Sequence, residues 1–300
     1  MNFAELKATL RAGVKPVYLV HGSDIYLVQK AIDMIVGAAG VNALDVSRAT
    51  LETVVADCMT VSFFGGRRVV VVRPLEEMTA DIKKYIEKPN AECVLILVGE
   101  FVKGNFIDVN CNPMTPDILV KLIANQLAAA GKKISREAAD LLCQYCGNTY
   151  ARIDNEINKL VNYYIEKESI GVDEIKEICT KTTEYQVYEL GKALCAGGMT
   201  QAEEILRALQ DSGVEDYAIF GNLVGHFRRL FYSLTCKADN AAVASVLGCS
   251  PYAVQYARRD NRQLVGSIKS LYEYALDLEY QIKSGKVGVG NAIVLLGMGV

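Results

Sequence analysis

The residues able to do chemistry in this chain are few: two histidines, nine cysteines, and a glycine that closes an apolar run. Gly22 follows Val17, Tyr18, Leu19, Val20 and His21, where a strand would open onto a phosphate-binding loop. Such a loop needs Gly, Lys and Ser or Thr at the fifth, sixth and seventh positions after its first Gly. Backbone N–H groups then cradle the phosphates, the Lys neutralises them and the hydroxyl holds magnesium. Those positions hold Leu27, Val28 and Gln29. The β-branched run Val69–Val72 would have to end in an acidic pair to hold metal and water, and it ends in Arg73 and Pro74. Both halves of a nucleotide-hydrolysing site are missing, so hydrolysis is not expected. His21 and His226 have no nucleophile motif around them, and local packing accounts for both. Cys143 and Cys146 form a C-x-x-C pair, but one pair cannot complete a tetrahedral zinc site. They also fall inside a helical pattern and not at the helix start that lowers a thiol pKa. Two core thiols is the first reading and a metal pair the second. No catalytic residue, metal or cofactor is expected.

Binding offers more. Ser62, Phe63 and Phe64 lie in a connection ahead of Gly65, Gly66, Arg67 and Arg68. Burying a Phe is worth roughly 1.5–3 kcal/mol, so a pair of them in a connection needs a reason. Either one ring caps a sheet and the other covers the preceding helix, or the pair is a partner-binding tip. Arg67 and Arg68 read as solvated charges introducing a strand. The pairs Arg228/Arg229 and Arg258/Arg259 read as exposed helix faces, with DNA or subunit contacts as the second reading.

The elements that must position these residues change character along the chain. The first third alternates apolar runs with helical spacing: Val17–Val20, then a helix from Asp24 carrying Leu27, Val28, Ile32 and Ile35. Leu44–Arg48 reads as a strand, Leu51–Cys58 as a helix, and Val69–Val72 and Cys93–Val98 as strands covered on both faces. Strands alternating with helices imply a parallel sheet. A further strand is expected over Phe106–Val109. Asn112–Pro116 carries two prolines and marks a boundary. Helices then follow over Leu119–Ala130, from Ser135 to Gly147, and from a cap at Asn148. The last has Ile153, Ile157, Leu160, Val161 and Tyr164 on one face and Arg152, Glu156 and Lys159 on others. From Thr183 come longer patterns: Val187–Leu194, Thr200–Leu209, Tyr217–Leu234, Ala241–Leu247, Pro251–Arg259 and Leu264–Ser284. The expected fold class is multidomain α/β plus all-α: a parallel-sheet domain over residues 1–113, a three-helix domain over 114–181 and a helical domain over 182–300.

The 300 residues are 51% hydrophobic and 22% charged, with a net charge of −3. No general field draws such a chain to nucleic acid or to an anionic membrane. No apolar run nears the ~18 residues of a bilayer span, and the N-terminus lacks a signal peptide's pattern. Scattered cysteines, odd in number, suit a reducing compartment. A cytoplasmic, soluble protein is expected.

Several segments, in order, resemble the delta-subunit family of bacterial DNA polymerase III clamp loaders, a branch of the AAA+ superfamily. KPVYLVHGSDIYLV is similar to the family's opening strand, turn and helix, and SFFGGRRVVVVRPLEE to its second diagnostic segment. AAAGKKISREAADLLCQYCGNTYARIDNEINKL resembles its helical lid, and GHFRRL and LGCSPYAVQYARR its tail. The likeness covers nearly the whole chain. Between Gly99 and Phe106 the chain is shorter than the family usually is, so an α/β element there is expected to be missing. The resemblance implies a degenerate phosphate-loop domain, a lid and a helical collar domain that act without hydrolysing ATP. It implies a clamp-binding tip with Phe63 and Phe64 as anchors, flanked by Ser62 and Met59. Phe63 stands where Leu is usual, and Met59 where the clamp-binding motif favours Gln. Implied partners are the sliding clamp (beta), the ATP-hydrolysing gamma/tau subunits, delta-prime and, through the complex, primed DNA. A rival reading comes from Ala241–Val254, whose helix, Gly248 turn and second helix have helix-turn-helix spacing. Gln255, Arg258 and Arg259 would then face DNA. Against it, the second helix opens Pro-Tyr-Ala-Val, poor in donors to base edges.

Overall fold

Consecutive apolar residues at Val17–Val20 suit a strand covered on both faces. The computed structural model describes the backbone of residues 1–40, 46–60, 67–75, 77–249 and 251–298. It forms two compact units, Met1–Thr180 and Lys181–Val300. In the first unit a parallel sheet runs in the order β2 (Val46–Ala49), β3 (Arg68–Leu75), β4 (Cys93–Gly99), β1 (Val17–His21) and β5 (Ile107–Asn110). Alternate residues serve opposite faces. Val17, Leu19, Val70, Val72, Leu95 and Leu97 pack with Val54 and Cys58 of α3 (Val54–Met59) and Ile82, Tyr85 and Ile86 of α4 (Ala80–Glu87). A further helix, α2 (Ile25–Ala39), lies against β1 and β4 and buries Leu27, Val28, Ala31, Ile32 and Ile35, with α1 (Phe3–Arg11) beside it.

Two local differences from the sequence expectation have simple causes. Arg73 and Pro74 do not end their strand: β3 continues to Leu75, and a register shift between Val72 and Leu75 accommodates a proline that has no N–H to give the ladder. The helix expected from Leu51 begins only at Val54. The step from β4 to β5 has no helix at all. The two strands flank β1, and a crossover between parallel strands usually takes about a dozen residues or more, yet residues 100–106 make this one. Phe101 lies near His21 at the end of β1, with ring centroids 5.3 Å apart, and Phe106 packs on the core at the other end of the sheet.

The same unit continues with α5 (Pro116–Ala129), α6 (Arg136–Tyr145), α7 (Tyr150–Tyr163) and α8 (Val172–Ile178). Two short strands, β6 (Lys133–Ile134) and β7 (Ser169–Ile170), pair between them. Ser135 caps α6 by accepting from the Ala138 N–H at 3.1 Å, and Gly147 follows its end at φ +60°. Asn148 does not cap α7; it takes φ +56° as part of the turn, and Thr149 is the cap residue. Glu156, set off the apolar face by its spacing, is nonetheless buried; it pairs with Lys159 at 2.6 Å and accepts from the Thr180 N–H at 3.2 Å. A buried carboxylate needs such partners, and a backbone amide distant in sequence is invisible to periodicity. The short α8 and the β6–β7 pair were likewise not read from the pattern.

The second unit is all helical: α9 (Thr183–Cys195), α10 (Met199–Asp211), α11 (Asp216–Thr235), α12 (Asn240–Leu247), α13 (Pro251–Asp260), α14 (Ile268–Lys283) and α15 (Val289–Met298). The span expected as one helix over Leu264–Ser284 is a 3₁₀ turn at Arg262–Leu264 and then α14, separated around Gly266 and Ser267. The expectation missed α15 because its apolar residues show no polar contrast and Gly290 and Gly297 look like breaks. Gly297 lies close against α9 and α10: a methyl group there would stand 2.8 Å from Leu194 Cδ2 and 2.9 Å from Met199 Sδ. Among the described residues no helix is long and apolar enough to cross a membrane.

The contact between α9 and α11 shows how tightly this unit is fitted. His226 is buried on α11 with the Tyr188 ring edge-on at 5.4 Å, and a methyl group at Gly191 would lie 2.6 Å from His226 Cδ2. Gly191→Ala is therefore expected to destabilise the protein by about 1–3 kcal/mol through overpacking, outweighing a helix-propensity gain of about 1 kcal/mol. Urea midpoints check this, and His226→Ala should return most of the loss. Burial, with Arg229 adding repulsion, pushes the His226 pKa down to about 4. An unfolded histidine titrates near 6.5, so the unfolded chain binds the extra proton. The stability contributed by the neutral ring is complete above about pH 6.5 and falls by on the order of 3 kcal/mol as pH drops toward about 4. Urea titrations across that window should lose this slope in His226→Gln.

Candidate functional site

The turn after β1 is the place where a parallel sheet usually receives a ligand. Here the chain fills it. Gly22 has φ +137°, and a methyl group on it would lie 2.4 Å from the Cys111 carbonyl carbon. The Cys111 N–H donates to the His21 carbonyl at 2.6 Å, and the Asp24 N–H donates back to the Cys111 carbonyl at 3.1 Å. The Ser23 N–H donates to Asn112 Oδ1 at 3.0 Å. Asp24 is the N-cap of α2, and its Oδ1 accepts from the Tyr26 and Leu27 N–H groups at 3.0 and 3.1 Å. A carboxylate thus sits where the free N–H groups of a helix start would attract a phosphate. Cys111 lies beneath, buried, its thiol pushed up to about 12 by burial and by the nearby Asp24 and Asp108.

The remaining positions of the expected degenerate site are equally occupied. Leu27 and Val28 face the core of the unit. Gln29 is exposed; its Oε1 accepts from Arg73 Nη1 at 3.2 Å and its Nε2 donates to Asp33 at 2.9 Å. At the strand end, His21 Nε2 and Asp108 Oδ1 stand 2.6 Å apart. No position reserved for a phosphate, a lysine or a magnesium ligand is free to act as one. Sequence reading found the missing Lys and Ser/Thr. It missed the closing segment around Cys111 and Asn112, because that segment is distant in sequence; Asp24 as a cap was the readable clue.

The second candidate region is the end of α3. Met59 is 61% exposed. Ser62, Phe63 and Phe64 lie outside the described residues. The helix leading to them is firmly held: Val54 and Cys58 are buried, the Cys58 thiol hydrogen-bonds with that of Cys93 on β4, and Asn90 Nδ2 donates to the Cys58 carbonyl at 3.0 Å. On the far side of the connection, β3 resumes at Arg68.

The two arginine pairs differ from each other. Arg228 and Arg229 are exposed on α11. Arg258 is not the free cation that its sequence suggested. Its Nε donates to the Ser233 carbonyl at 2.8 Å, its Nη2 to the Cys236 and Ala238 carbonyls at 2.8 Å, and its Nη1 to Asn240 Oδ1 at 2.7 Å. It ties off the C-terminal end of α11 and the start of α12. Arg259 pairs with Asp260 at 2.6 Å and covers the Tyr256 ring at 4.8 Å. The helix order that the spacing predicted is present: α12 ends at Gly248 with φ +63° and α13 begins at Pro251. Its strongest would-be DNA contact, Arg258, points inward. Cys143 and Cys146 are both buried, their thiols pushed up to about 12 by burial. Among the described residues no cluster of side chains could hold a metal ion.

Two family models match in chain order, "DNA polymerase III, delta subunit" over residues 18–106 and "DNA polymerase III delta subunit, C-terminal domain" over residues 184–298. The chain belongs to the DNA polymerase III delta subunit family. Curated delta subunits are similar to it along most of their length. That of Bacillus subtilis is 22% identical, over 95% of this chain and 93% of its own. That of Haemophilus influenzae is 21% identical, over 73% of this chain and 71% of its own. Among solved structures, the B. subtilis DNA clamp loader delta protein has a TM-score of 0.71 at 20% identity, covering 99% of this chain and 98% of that one. The chain therefore shares the delta fold over nearly its whole length, with β1 to β4 in the first matched region and α9 to α15 in the second.

The closed turn makes a direct prediction. Millimolar Mg-ATP is expected to leave Tm unchanged in differential scanning fluorimetry. A nucleotide at about 100 times its Kd would add roughly 2.7 kcal/mol to stability, a shift of a few degrees.

Proposed function

We propose that this chain is a non-hydrolysing subunit of a DNA polymerase III clamp loader that binds the sliding clamp through Phe63 and Phe64 and biases its ring toward the open form. The observation that carries this reading is a filled phosphate turn together with a well-anchored helix that the aromatic pair follows in the chain. The turn after β1 has its N–H groups taken by Cys111 and Asn112, so nucleotide-driven motion is left to other subunits. α3 is fixed to the sheet by Val54, Cys58 and Asn90 and ends in the exposed Met59, immediately before Ser62, Phe63 and Phe64. Membership of the delta family supports the same assignment.

The mechanism is a population shift. A closed ring opens only through a partner that binds its open form more tightly. Two aromatic anchors at the centre of an interface contribute on the order of 2 kcal/mol each. A rigid helix behind them lets that affinity press on the ring and not dissipate in motion of the tip. The gamma/tau subunits supply ATP hydrolysis in this reading. They and delta-prime meet this chain in the assembled loader in the cytoplasm, and primed DNA is reached through the complex. Arg228 and Arg229 are free to take part in such contacts, whereas Arg258 holds its own unit together.

Isothermal titration of the chain against the sliding clamp of the same organism, without nucleotide, tests this. Binding is expected for the wild type and is expected to weaken by more than about a hundredfold in Phe63→Ala/Phe64→Ala, in line with two hot-spot residues. Unchanged affinity in the folded variant would move the site elsewhere. Absence of binding by the wild type would remove the clamp-binding reading.

A further inference from the structure

With the turn after β1 closed by the chain itself, the helices after β5 must be held against the sheet domain by side chains. The first unit contains one strongly polar buried cluster at that contact. Asp154, on α7, is buried and accepts hydrogen bonds from three side chains on two other helices. The Tyr26 hydroxyl of α2 donates at 2.6 Å, Lys30 Nζ of α2 also donates to it, and Gln126 Nε2 of α5 donates at 2.7 Å. Gln126 Nε2 also reaches the Tyr150 hydroxyl at 2.9 Å. The Lys30 ammonium lies 5.6 Å from the centroids of both the Tyr26 and the Tyr150 rings. Phe3 of α1 extends the contact, its ring 5.6 Å from that of Tyr150.

We propose that Asp154, with Tyr26, Lys30 and Gln126, positions the helices of α5 to α8 on α2 and does so in place of a bound ligand. Tyr26 and Lys30 stand in the first and second turns of α2, just beyond the turn that Cys111 and Asn112 close. The helix that a ligand would have contacted is therefore gripped from the other side by the chain itself. Breaking one partner of a buried ion pair leaves an uncompensated charge and is costly, whereas replacing both by apolar groups of similar volume is often neutral. That asymmetry makes the role separable from general stability. Asp154 and its partners are positioning residues; none touches a substrate.

The test is hydrogen–deuterium exchange of the full-length chain, read separately over α2 and α7 and over β1 and β4. In the wild type, Mg-ATP is expected to change protection in neither pair. In Asp154→Asn, exchange over α2 and α7 is expected to rise about tenfold or more while β1 and β4 stay unchanged, the signature of a local opening. Lys30→Met/Asp154→Leu, which removes both charges, should return protection to near the wild-type level. Tyr26→Phe deletes a single hydroxyl; it decides the matter if the Asp154 variant does not fold, with a smaller rise of about threefold expected over the same helices. Unchanged protection in both variants, or a rise shared equally by β1 and β4, would overturn the proposal. So would added protection of α2 by Mg-ATP. The measurement involves no clamp, so its outcome is independent of the clamp-binding reading.

Discussion

Backbone amides at the C-terminal end of a buried parallel strand must find partners, because they are too close to the core to rely on water alone. On a phosphate-binding fold the ligand is that partner. In this chain the segment around Cys111 and Asn112 plays the part, with Gly22 allowing an approach that no side chain would permit. Asp24 supplies the negative charge at the start of α2. Once those bonds are made, the rest of the first unit is constrained. β5 must lie beside β1, so that Cys111 follows directly from Asn110 into the turn. The link from β4 must then cross the sheet face in the few residues of 100–106.

This closure changes what kind of work the fold can do. A turn that opens to a phosphate can couple binding energy to motion. One sealed by its own chain cannot, and the helices around it become a frame. α2 is gripped by the turn at its start and by Asp154 over its first two turns; α3 is pinned through Cys58 and Asn90. Rigidity would suit the clamp-binding role proposed above, since an interface that is already ordered loses less entropy on binding.

The helical second unit follows a different logic, that of close fit among apolar faces. Its buried polar groups sit at element ends and crossings. Arg258 takes up the Ser233 carbonyl near the end of α11 and the Cys236 and Ala238 carbonyls just past it, where helical partners run out, and neutral His226 fits against Gly191. A cation that looked available for nucleic acid is thus structural, while Arg228 and Arg229 remain on the surface.

Patterning along the chain was enough to determine the buried strands Val17–Val20, Val69–Val72 and Cys93–Val98, most helices, and the lack of a Lys and a hydroxyl after Gly22. These depend on residue type and local period, which a linear text carries. The same text named Phe63 and Phe64 as residues needing an explanation. Tertiary structure decided the rest. Only it could join Gly22 to Cys111, across nearly ninety residues (Ser23 to Asn112 is the adjoining bond). It alone could gather Tyr26, Lys30, Gln126 and Asp154 from three helices, bury Glu156, and turn Arg258 inward. Each is a polar contact between residues far apart in sequence. Hydrophobic period says which face is buried but not which distant donor will meet a particular carbonyl or carboxylate there, and that choice is made by the geometry of packing.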